Sequence, residues 1–99
     1  MSLSNDLKTP EFTELCKAFT LISSVEEARD FLSDICTEQE LQSITERLQV
    51  AKRVLNKESY RSISKATGSS TTTITRVGQW LKSGSGGYRL VLERLDKHP

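Results

Sequence analysis

The sequence holds one histidine, His98, and two cysteines, Cys16 and Cys36, with no Cys-X-X-Cys pair and no cluster at metal-ligand spacing. A structural zinc site needs four such ligands, so no metal site is expected. No serine or cysteine has a histidine base within reach in the sequence, which argues against an enzyme. The glycine-rich stretch Gly84–Gly87 follows no strand pattern and lacks the lysine–serine pair of a phosphate loop, so it reads as a linker. No run approaches the ~20 apolar residues needed to cross a bilayer, and Met1–Thr9 has no signal-peptide core. The expectation is a cytoplasmic protein without membrane contact or cofactor, its two cysteines small buried side chains rather than a disulfide.

What is present suits one folded domain. The chain has 99 residues, 35% hydrophobic and 27% charged, which is too apolar for disorder and too short for two cores. The net charge of +1 conceals an asymmetry. Residues 1–46 carry three basic and ten acidic groups. Residues 47–82 carry eight basic groups (Arg47, Lys52, Arg53, Lys57, Arg61, Lys65, Arg76, Lys82) against Glu58 alone. One end is an acidic scaffold; the other suits a polyanion.

Apolar spacing predicts helices throughout and no strand, so the fold class is all-α. Residues 1–9 read as a flexible arm, and residues 10–99 as a single helical domain. From Pro10, a favourable first-turn residue, Phe12, Leu15, Cys16, Phe19 and Ile22 recur at helical spacing. Ser24-Val25-Glu26-Glu27 and Thr37-Glu38-Gln39-Glu40 are capping boxes, in which the hydroxyl and the carboxylate satisfy each other's free backbone N–H groups. The second opens the longest helix, about 38–56. Leu41, Ile44, Leu48, Ala51 and Leu55 cluster on one side of it, and Val50 and Val54 lie nearly opposite. A helix with two apolar faces must be covered from two directions. With only two helices before it, the second cover is expected from another subunit.

Residues 58–66 read as a short helix, and about 70–82 as another. Ser83-Gly84-Ser85-Gly86-Gly87 reads as a flexible link, and Tyr88–Leu95 as a final apolar helix. Together about 59–82 fit a helix-turn-helix. Gly68 supplies the residue tolerant of positive φ, and Ser64 the small residue where the helices cross. Ile63, Ile74 and Val77 are the inward anchors, and Ser70 or Ser69 the cap of the second helix. The outward face of that helix holds Ser70, Thr71, Thr72, Thr75, Arg76 and Gln79, with no acidic residue. Arginine can pair with guanine, glutamine with adenine, and threonine with phosphate or a thymine methyl. Arg61 and Lys65 on the preceding helix suit phosphate oxygens, and Ser69 joins the candidate DNA-binding set. Double-stranded DNA is therefore the expected partner. The competing reading is a helical protein–protein module using the same face without DNA.

Thr37, the long helix through Arg47, Gly68 and the segment Thr73-Ile74-Thr75-Arg76 resemble the tryptophan repressor superfamily. Gly86-Gly87-Tyr88-Arg89-Leu90-Val91-Leu92-Glu93-Arg94-Leu95 resembles its YerC/YecD branch of Trp-repressor-related proteins. Trp repressor is itself among the proteins from which helix-turn-helix docking geometry was established. The resemblance implies an intertwined homodimer, a repressor with two recognition helices on half-sites ~34 Å apart. It also implies an effector pocket at Thr37, Arg47, Arg76, Val77 and Trp80. Trp80 stands where the family has the serine that holds the ligand's amino group, and Val77 where it has a glycine. Both add bulk, so free tryptophan is not the expected effector, and the effector stays unassigned. Trp80 is expected either to occupy that space itself, its ring against Arg76 or Arg47, or to pack simply on the last helix.

Overall fold

A computed structural model describes residues 7–98, and among them every regular element is helical. The helices are α1 (Pro10–Thr20), α2 (Val25–Ile35), α3 (Glu38–Leu55), α4 (Tyr60–Thr67), α5 (Thr71–Ser83) and α6 (Gly87–Lys97). Residues 1–6 of the expected arm lie outside the described residues. Thr9 at its end caps α1, its hydroxyl accepting from Phe12 N–H at 3.0 Å.

The chain forms two compact units that divide between Leu41 and Gln42. In the first, α1 and α2 are short and amphipathic. Phe19 and Phe31 meet edge to face at 5.4 Å, yet no described residue of this unit is buried. Phe19 is 42% exposed and Val25 66%. The expectation that both cysteines are buried fails here. Cys16 is exposed and Cys36 half-buried, because the apolar faces that carry them have no cover. The start of α2 also differs in detail. Ser24 accepts from Glu27 N–H, but the Glu27 carboxylate turns to the N–H and hydroxyl of Ser23 rather than to Ser24. Thr37 and Glu40 make the reciprocal box as expected, at 3.1 and 2.8 Å.

The second unit contains the core. Val50, Ala51, Ile63, Ile74, Val77 and Leu81 are buried, with Val54, Leu55, Trp80, Tyr88 and Leu92 packed around them. Each fully buried aliphatic side chain contributes ~1.5–3 kcal/mol, so this cluster dominates the unit's stability. The two faces of α3 are each covered in part. Val50 on the valine side and Ala51 on the leucine side both lose all contact with solvent. The rest of the leucine side is more open. Ile44 is 45% exposed, while Leu48 and Leu55 line a groove of about 630 Å³ with Leu92 and Leu95 of α6. Lys52, Arg89, Glu93 and Asp96 edge that groove.

Three boundaries shift. α4 starts at Tyr60 rather than at residue 58, since Ser59 caps it by accepting from Ser62 N–H. The glycine link is shorter than expected: α5 runs through Ser83 and α6 begins at Gly87. Gly86 takes a left-handed φ of 85° at the entry to α6, and Arg89 Nε donates to the Leu81 carbonyl at 3.0 Å. That bond satisfies one of the carbonyls a helix end leaves free.

Candidate nucleic-acid interface

The turn between α4 and α5 is built from hydroxyls around one glycine. Gly68 ends α4 with φ 76° and ψ 1°, and its N–H donates to the Ser64 carbonyl at 2.9 Å. A left-handed residue stops the helix and redirects the chain, and glycine does this without a Cβ penalty. Ser64 Oγ then donates to the Ser69 carbonyl at 2.8 Å, tying the helix to the far side of the turn. Thr67 Oγ1 donates to the Ile63 carbonyl and accepts from Ser69 N–H. The small residue expected at the crossing is thus also a hydrogen-bonding brace.

Ser70 is the cap of α5, accepting from Thr73 N–H at 3.1 Å. Ser69 is not. It is 3% exposed, with Oγ buried and without a partner, so the expectation that it belongs to the DNA-binding set is corrected for its side chain.

Ser70, Thr71, Thr72, Thr75, Arg76 and Gln79 are all exposed, whereas Ile74, Val77 and Leu81 point into the core. Arg61 and Lys65 are exposed on α4. No acidic residue occurs on either helix, so these eight residues present hydroxyls, an amide and cations. The first-turn N–H groups of α5 add the positive end of a helix dipole.

The residues expected around an effector are distributed as follows. Arg47 and Trp80 come together, with the guanidinium carbon 5.9 Å from the ring centre. Val77 is fully buried and Arg76 is exposed. Thr37 stands at the start of α3 with its hydroxyl engaged as the cap. Sequence reasoning missed Gly78, which is buried on α5 beneath Tyr60. A Cβ built there would sit 2.6 Å from the Tyr60 hydroxyl oxygen. A glycine inside a helical pattern was the available signal, since it costs ~1 kcal/mol unless something packs against it.

Among the described residues no group of histidine, cysteine or carboxylate side chains could hold a metal ion, and no helix is long and apolar enough to cross a membrane.

This chain matches known proteins along nearly its whole length. The profile of the Trp repressor protein family matches residues 10–96. YerC of Bacillus subtilis, itself uncharacterised, is 35% identical over 89 residues, covering 90% of this chain and 86% of YerC. A TrpR-like protein from Eubacterium eligens superimposes with a TM-score of 0.88 at 40% identity, covering 94% of this chain and 96% of that one. A proposed Trp repressor from Staphylococcus aureus gives 0.88 at 35% identity, covering 96% of each.

Proposed function

Because the chain belongs to the Trp repressor family, we propose that it is a sequence-specific DNA-binding regulator, a repressor that reads duplex DNA with α5. The observation that carries this reading is the exposed, carboxylate-free face Thr71, Thr72, Thr75, Arg76 and Gln79, flanked by exposed Arg61 and Lys65. Phosphate contacts from Arg61, Lys65, Ser70 and Thr71 set the register, and Arg76 and Gln79 read base edges. Ser69 takes no part through its side chain, which is buried.

The working unit is a homodimer. Two uncovered apolar regions support this: the first unit, in which no described residue is buried, and the α3–α6 groove. A twofold mate covers such surfaces and pairs two α5 helices for an approximately palindromic site. The protein acts in the cytoplasm, where its target is, and it is a regulator rather than an enzyme.

Selection of bound duplexes from a random-sequence pool tests the proposal. An enriched palindrome with half-sites about one helical turn apart is the expected result. Binding should also weaken by orders of magnitude between about 50 and 200 mM salt, as counterions released from phosphates become less favourable to release. No enrichment, together with salt-insensitive association with a protein, would replace this reading with that of a protein–protein module.

A further inference from the structure

Arg47 is a half-buried cation on α3. Its Nε is buried without a hydrogen-bond partner, and neither of the two salt bridges among the described residues includes it. What faces its guanidinium is the ring of Trp80, 5.9 Å away. A guanidinium is planar and weakly hydrated, so an aromatic face is one of the few surroundings that offsets its loss of water. Arg47 belongs to α3 and Trp80 to α5. The contact therefore joins the helix that bears Val50 and Ala51 to the helix that bears Thr75, Arg76 and Gln79.

We propose that Arg47 and Trp80 form a built-in cation–π latch that sets the orientation of α5 without any small-molecule effector, Arg47 acting as a positioning residue. Ile74, Val77 and Leu81 hold α5 by apolar packing, which is non-directional and tolerates small rotations of a helix about its axis. Trp80 sits at the rim of that core, half-buried. A directional contact at the rim restricts the rotation that would turn Arg76 and Gln79 away from a groove. Its consequence for binding rests on the DNA-reading role of α5, whereas the latch itself does not.

Trp80 is the sole tryptophan, so biosynthetic incorporation of mono-, di- and trifluorotryptophan alters this ring alone. Fluorine withdraws charge from the ring face at little cost in shape. The measurement is amide hydrogen exchange along α5 in the free, extensively dialysed protein, with binding to sonicated mixed-sequence duplex DNA read in parallel. Exchange in α5 is expected to accelerate in step with fluorination, by about 2- to 30-fold across the series. Arg47→Lys, which keeps the charge, should fall between the parent and Arg47→Met. Exchange unchanged through the fluorinated series, or Lys and Met variants that behave alike, would overturn the latch even where DNA is bound. Exchange that follows ring charge while the parent protein ignores duplex DNA would sustain the latch and remove the DNA-reading role instead.

Discussion

The hydroxyl of Tyr60 lies so close over the backbone of Gly78 that a Cβ there would meet it at 2.6 Å, while the ring carbon that bears it would be 3.7 Å away. The contact lets α4 and α5 approach closely, and it accounts for a glycine within a helix. It also separates two opposing effects on stability. Alanine at 78 improves helix propensity by ~1 kcal/mol but must displace the tyrosine tip. Gly78→Ala should therefore stabilise a Tyr60→Phe background by about 0.5–1 kcal/mol and the parent by less, a coupling that urea denaturation of the four proteins would measure. Equal effects in both backgrounds would show that the hydroxyl is not what excludes a side chain.

Gly68 has a different reason for being glycine. Nothing lies within 4 Å of a Cβ built on it, so space is not the constraint, and its φ of 76° is. Gly68→Ala should cost about 1–2 kcal/mol from left-handed strain, Gly68→Val more, and Gly68→Asn least. A valine variant with an unchanged denaturation midpoint would show that the turn does not depend on this backbone conformation.

Acid sensitivity should trace to the helix caps. The Glu40 carboxyl is held below its ordinary value of 4.5, first by the backbone N–H of Thr37 and then by its hydroxyl. The Ser23 N–H, then its hydroxyl, do the same for Glu27. A carboxylate with a lowered folded-state pKa contributes stability that is fully present above the ordinary value. That contribution is lost as pH falls through the folded value, because the protonated acid gives up its acceptor advantage. Glu40→Gln should lower stability at neutrality and flatten the profile below about pH 4.5, so that variant and parent converge in acid, as thermal melts from neutral to acid pH would reveal. A profile as steep in the variant as in the parent would assign the acid sensitivity elsewhere.

The two exposed arginines of the helix-turn-helix should behave differently toward DNA. Arg76→Ala on α5 should relax base preference at one position by ~1–3 kcal/mol. Arg61→Ala on α4 should instead weaken all duplexes about equally and reduce the magnitude of the salt slope by about one. Titration of matched and mismatched duplexes at several salt concentrations distinguishes the patterns. Identical losses for the two variants on every duplex would mean that neither reads a base.

Much of the α4–α5 region could be read from the linear chain, because its determinants act over a few residues. Ser70, Gly68 and Ser64 work through hydrogen bonds no more than five residues long. Ser69 was misjudged for a related reason: local patterns do not say which of two adjacent serines turns inward once Ser64 engages the backbone between them. Cys16 was misjudged for the opposite one. Helical spacing identifies an apolar face but not whether the same chain covers it.

The order of residues was enough to determine an all-helical chain, the Thr37 and Ser70 caps, its αL turn and an α5 face without carboxylates, since backbone hydrogen bonding and side-chain period are settled within a turn or two. Only the tertiary structure decided which residues of α3 are enclosed, that Tyr60 lies over Gly78, and that Arg47 lies over Trp80. Those outcomes depend on packing between segments far apart in sequence, where shape complementarity selects among faces that periodicity leaves equivalent.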